Sequence, residues 1–279
     1  MPIHDQSYRH YQGERTPPGR AWTVIARTGI KGMIGKRKFL ALLILAWLPF
    51  LVRAVQFYIA VNFPQASIIA PSADTFREFA EQQGAFVFFV TIFTGAGLIA
   101  NDLRANALQI YLSKPLSRVE YIAGKFAVLA CFLLLVTWLP AMMLLAVQVV
   151  LAGSVKFLSD NIFLIPAITV YAIVETVVTS LIMLALSSLT KSSRFVGIMY
   201  AGATFFTLAI FNAIRGVTRT TSFSWLSPSA SLQQLGDVIF RQAPRYETPI
   251  PVTLLALIVI AALAGFVLER RVRGVEVVT

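Results

Sequence analysis

The chain predicts an all-α integral membrane protein with six transmembrane helices, and three observations predict it. Six long apolar runs occupy residues 39–61, 84–100, 126–152, 162–186, 195–214 and 250–268. The 279 residues are 57% hydrophobic and only 13% charged, with a mean hydropathy of +0.73, which lies outside the range of soluble domains. Of 24 lysines and arginines, 17 fall before the first run, between the second and third, between the fourth and fifth, or after the sixth. A helix rises about 1.5 Å per residue, so roughly 20 apolar residues cross a hydrocarbon core of about 30 Å. A helix also satisfies its own backbone hydrogen bonds, as lipid requires. The uneven basic charge places both termini in the cytoplasm. The expected site is a bacterial-type inner (cytoplasmic) membrane, crossed several times.

Each element follows in order. Residues 1–19 are polar, carry Gly13, Pro17, Pro18 and Gly19, and read as a flexible cytoplasmic tail. Residues 20–38 read as an amphipathic interfacial helix. Trp22, Ile25, Ala26, Gly29, Ile30, Met33 and Ile34 share a stripe, while Arg27, Lys31 and Lys36 lie mostly off it. The transmembrane domain spans 39–268. Pro49 interrupts the first span, 39–61, and Arg53 lies within it. Residues 62–83 read as an outer loop with a charged stretch from Asp74 to Glu81. The second helix continues past its apolar run, over about 84–104. The third covers about 124–152 and ends at Gly153, before a brief outer turn at 153–160. The fourth and fifth cover 162–186 and 195–214, joined by a short cytoplasmic link. Residues 215–249 form the longest outer segment. Its Phe223–Pro228 stretch, and Leu232, Leu235, Val238, Ile239 and Phe240 at near-helical spacing, predict short re-entrant or interfacial helices. The sixth span covers 250–268, and 269–279 is a cytoplasmic tail opened by Glu269, Arg270 and Arg271.

Several function classes are excluded or disfavoured. The net charge of +11 follows from topology and contact with anionic headgroups, so nucleic acid is not an expected partner; the lipid bilayer is. Cys131 is the only cysteine, which leaves no intramolecular disulfide and no cysteine-based metal site. His4 and His10 both lie in the leader. There is no His-Glu-x-x-His, no Gly-x-Ser-x-Gly and no acidic pair set for a metal, so no catalytic or metal-binding residue is assigned. This argues against an integral-membrane enzyme. No Gly-x-x-x-x-Gly-Lys-(Ser/Thr) occurs, so the chain carries no nucleotide site of its own.

Two ionisable residues fall inside spans. Glu175 lies mid-way along the fourth, with Thr176, Thr179 and Ser180 beside it and Thr169 earlier on the helix. A carboxylate at that depth is costly unless it is paired, hydrated or protonated. Two readings stand: a polar patch facing a substrate pathway or a dimer contact, or a hydrogen-bonded Glu that ties helices together. Arg53 lies at a level roughly 11 Å from Glu175 by helical rise, so it is expected to reach outward to water instead of pairing with it.

The most unusual stretch joins spans two and three, residues 95–125. Gly95 and Gly97 allow close helix contact. The helix then stays amphipathic, with Leu103, Ala107, Ile110 and Tyr111 on one face, until Pro115 breaks it. Ser117-Arg-Val-Glu120 is a capping box that opens the third helix. Two helices meet at a rigid cytoplasmic corner suited to docking a soluble partner.

The string Ala-Leu-Gln-Ile-Tyr-Leu-Ser-Lys-Pro-Leu-Ser-Arg and the following Glu-Tyr-Ile-Ala-Gly-Lys125 resemble the permease subunits of ABC-2 type ABC transporters. The rest of the resemblance is architectural: an amphipathic leader, six spans and a partly apolar outer segment before the last. It implies a coupling helix in this loop that docks on a separate ATP-binding subunit. The implied docking residues lie among Asp102, Arg104, Leu108, Tyr111, Leu112, Lys114, Pro115, Ser117 and Arg118. It also implies a second permease copy, in a homodimer or heterodimer, with ATP and Mg bound only by the partner ATPase. Export is the implied direction. The alternative is a secondary transporter without an ATPase, which predicts more ionisable groups in the spans and a repeat relating the two halves; no repeat is found.

Overall fold

The computed structural model describes residues 20–63, 71–107, 117–153 and 155–272, and these contain helices and no strands. Six segments are long and apolar enough to cross a membrane: Arg37–Asn62, Ala73–Arg104, Arg118–Ala152, Leu164–Leu189, Ser193–Thr218 and Ile250–Arg271. They correspond in order to the six predicted spans. Helix α1 (Ala21–Ile34) precedes them and stops sooner than the expected 38, because Arg37 already opens the first span.

Two of the spans are broken helices, each with a proline just after the break. α2 (Arg37–Ala46) and α3 (Leu48–Asn62) meet at Trp47, with Pro49 at the second position of α3. Proline lacks the N–H that an interior position needs, but the first turn of a helix tolerates it. The second span bends differently and is divided into α4 (Ala73–Gly95), a turn at 96–99 and α5 (Ala100–Arg104). α6 (Arg118–Val136) and α7 (Trp138–Ala152) meet at Thr137, ahead of Pro140, and the Thr137 hydroxyl donates to the Leu133 carbonyl at 2.8 Å. Gly153 closes α7 in the left-handed conformation, at the predicted end of the span.

The start of α4 corrects the outer-loop reading of 62–83. Asp74 to Glu81 form its first turns, and Ser72 and Thr75 cap it reciprocally. The remaining elements are α8 (Lys156–Asp160), which lies where a turn was expected, α9 (Leu164–Leu189), α10 (Ser193–Thr218), a short 3-10 helix (Ser224–Leu226), α11 (Pro228–Ile239) and α12 (Ile250–Arg271).

α9 is the central helix, packed against α4, α6, α7, α10, α11 and α12. The first, fifth and sixth spans turn large apolar side chains outward, among them Ile44, Ile198, Phe206, Ile258 and Leu263, a surface that suits lipid. Ile25 of α1 and Val272 after α12 pack into one cluster with Tyr121 and Leu268, so both described ends of the chain lie at the same end of the bundle. α1 is clamped on α6 by glycines. A Cβ on Gly124 would stand 2.7 Å from the Ile25 Cβ and 3.0 Å from the Trp22 carbonyl oxygen, and one on Gly29 would stand 2.6 Å from Val128. Both backbones approach closely only because the side chains are missing.

Candidate functional site

Three polar constellations interrupt the apolar bundle. The first is the corner at the α1 end. Asp102 of α5 accepts a hydrogen bond from the Tyr121 hydroxyl at 2.7 Å and pairs with Lys125 Nζ at 2.6 Å. Tyr121 and Lys125 stand one turn apart on α6, and the ammonium lies 5.3 Å from the Tyr121 ring centroid. Asp102 thus bridges the two arms of the corner. Arg104, Ser117 and Arg118 are exposed, and so is Val119, at 75%. Leu108, Tyr111, Leu112, Lys114 and Pro115 lie outside the described residues. The amphipathic helix read as continuing to Pro115 ends at Arg104, followed by Asn106 at φ 52°, a conformation that asparagine tolerates better than most residues.

The predicted capping box is present. The Ser117 hydroxyl accepts from the Glu120 N–H at 3.2 Å, and Glu120 Oε2 accepts from the Ser117 N–H at 3.1 Å. Glu120 Oε1 also accepts from the Ala21 N–H at 3.2 Å, so one carboxylate opens two helices. Ser187, a residue the sequence offers no reason to single out, holds the other side of the corner. Its fully buried hydroxyl accepts from the Ile99 and Ala100 N–H groups, both at 3.1 Å, and donates to the Ala96 carbonyl at 3.0 Å. A serine hydroxyl has one donor and two acceptor sites, and all are used. This bond set stabilises the turn at 96–99.

The second constellation surrounds Glu175. The side chain is 6% exposed, and its Oε2 has no hydrogen-bond partner among the described residues. It faces a cavity of about 250 Å³ between α4, α9, α10 and α11. Tyr171 and Thr179, one turn to either side on α9, share this wall with Tyr200 and Thr204 of α10 and Glu81 of α4. Phe88 and Tyr200 stack with ring centroids 5.6 Å apart. Of the predicted polar patch, Glu175 and Thr179 reach the cavity. Thr176 and Ser180 are buried and unpartnered elsewhere on the helix. Thr169 is occupied apart from them, accepting from the Trp138 indole at 3.1 Å. Tyr171 was legible as the residue one turn from Glu175; Tyr200 and Glu81 carry no such signal.

The third constellation lies at the opposite end from α1. Arg53 pairs with Glu78 at 2.9 Å and donates to Gln56 and Gln82. Its side chain is 11% exposed, which corrects the expectation that it reaches to water; the partner was hidden because Glu78 was read as loop. Nearby, Arg77 bonds Asp74 and Glu81 at 2.7 Å and Asp237 at 3.2 Å. Arg245 holds Asp237 in a two-pronged contact at 2.6 and 2.8 Å and also pairs with Glu81. Bonding to Asp237, against the cost of burial, holds the Arg245 guanidinium above its ordinary pKa. These bonds fix the segment between α10 and α12. Gln234 fastens it further: its Oε1 accepts from Ser224 at 2.9 Å and Thr253 at 3.2 Å, and its Nε2 donates to the Thr248 carbonyl at 2.5 Å. Leu232 and Leu235 of α11 pack with Val178, which lies mid-way along α9.

No protein-family model matches the chain, and no curated protein matches it. Among the described residues no group of His, Cys, Asp and Glu is arranged to hold a metal ion.

Proposed function

We infer that this chain is the membrane-spanning permease subunit of an ABC-2 type ATP-driven exporter, set in the cytoplasmic membrane with both termini inside. One observation carries the reading: the 95–125 string, whose two described arms are joined by the Asp102–Tyr121–Lys125 bridge and braced by Ser187. A loop that receives force from a soluble ATPase must pass it to the bundle without bending. An ion pair, two caps and a glycine-clamped helix give this corner such stiffness. Arg104, Ser117, Arg118 and Val119 stay exposed for a partner, alongside Leu108, Tyr111, Leu112, Lys114 and Pro115. On this reading Asp102 shapes the docking surface and does not touch the partner. A second permease copy covers part of the outward apolar faces, and the α11 segment is a re-entrant element of the outer leaflet, consistent with its contact to Val178.

The test is capture of the tagged chain from its native membrane. An ATP-binding chain should co-purify, and Tyr111→Asp or deletion of 108–118 should abolish the association while the chain still inserts. Full transport by the purified chain with no ATPase present would overturn the reading and favour a secondary transporter, for which the unpartnered Glu175 is the supporting observation.

A further inference from the structure

The Glu175 cavity is built for a positive charge. Its wall carries two carboxylate side chains, Glu81 and Glu175, and no lysine, arginine or histidine. Glu81 is answered by Arg77 and Arg245, which lie outside the wall. Glu175 is answered by nothing among the described residues, although it is more than nine-tenths buried. A buried carboxyl oxygen without a partner is costly, so a proton, water or a cation must complete it. The rest of the wall narrows the choice. Thr179 and Thr204 offer hydroxyls that can accept hydrogen bonds, and the stacked Phe88 and Tyr200 rings offer aromatic surface. A bare metal ion has no use for aromatic carbon, and an anion is repelled. The volume of about 250 Å³ is just under the usual range for drug-sized ligands and suits a small one.

We propose that this cavity binds a protonated alkylamine. The Glu175 carboxylate is the counter-charge, the Thr179 and Thr204 hydroxyls accept the remaining N–H groups, and the Phe88–Tyr200 pair covers the alkyl portion. As a substrate class for the permease, the proposal rests on the transporter reading; as a binding site it needs no partner chain.

The experiment is equilibrium dialysis of the full chain in lipid nanodiscs against radiolabelled butylammonium at neutral pH. Saturable binding is expected, displaced by unlabelled butylammonium and not by equal sodium chloride. Glu175→Gln, which keeps the shape and removes the charge, should weaken it about tenfold or more, and Thr179→Val about threefold. Elution volume and thermal midpoint must match the wild type for each variant; if Glu175→Gln does not fold, Thr179→Val decides. No saturable binding up to about 10 mM, equal displacement by sodium chloride, or wild-type affinity in a folded variant overturns the proposal. Capture of an ATPase is read separately, so either inference can fail while the other stands.

Discussion

Replacing Ser187 with alanine tests whether the break in the second span is held by a side chain of another helix. The Oγ atom bonds three backbone groups at once: the Ile99 and Ala100 N–H groups and the Ala96 carbonyl. Removing it strands all three in a fully buried site. At the average of ~0.6 kcal/mol measured for side-chain bonds within a membrane protein, the loss is about 2 kcal/mol. If each stranded group costs its full desolvation penalty of ~1–3 kcal/mol, the loss is about 3–9 kcal/mol. The turn can recover part of this by redirecting N–H groups to nearby carbonyls, as Leu98 already bonds Gly95. The expected destabilisation is therefore about 2–4 kcal/mol. Reversible unfolding of the full chain in mixed micelles, followed by helix content, gives the free energy. Hydrogen exchange of the peptide covering 96–100 localises it. An S187A variant within about 0.5 kcal/mol of wild type, with that peptide still protected, would refute the argument and make the turn self-supporting.

Two further outcomes follow from the packing and charge. Gly124→Leu should lift α1 from α6, because even a Cβ there meets Ile25 and the Trp22 carbonyl; we expect about 1–3 kcal/mol of strain and faster proteolysis within residues 21–34, with an unchanged cleavage rate counting against the clamp. Glu247 is held below its usual pKa, first by the Thr220 hydroxyl and then by the Thr221 N–H. The folded group therefore binds its proton less readily than the unfolded one. Its stabilisation is full above the ordinary carboxylate pKa of about 4.3 and is lost as pH falls through the depressed value. Exchange at the Thr221 amide should accelerate over that acid window in the wild type, and Glu247→Gln should flatten the dependence.

The six spans were legible because length and hydropathy alone determine whether a helix can cross a bilayer. The misread boundaries all involve polar residues whose partners are distant in sequence. Asp74 to Glu81 looked like loop because Arg77 and Glu81 find Asp237 and Arg245 only in the folded chain. Arg53 looked solvent-bound for the same reason. The corner was recognisable from its capping box and proline, which are local. That Asp102 turns inward was not, since Tyr121 and Lys125 on the next helix decide it.

The polar residues of α9 show where local reading stops. In sequence, Thr169, Glu175, Thr176, Ser180 and Ser187 are alike: polar side chains in an apolar helix. Their roles separate according to what the facing helix presents. Opposite Ser187, the break at 96–99 exposes backbone N–H groups, and the hydroxyl becomes part of the scaffold. Opposite Thr169, Trp138 offers an indole N–H, with the same result. Opposite Glu175 there is space, lined by hydroxyls and rings but no cation, and the carboxyl is left to whatever enters. A polar group in a span is thus structural where a neighbouring break or donor uses up its bonding capacity. It is available for function where that capacity is left over, and only the three-dimensional arrangement distinguishes the two.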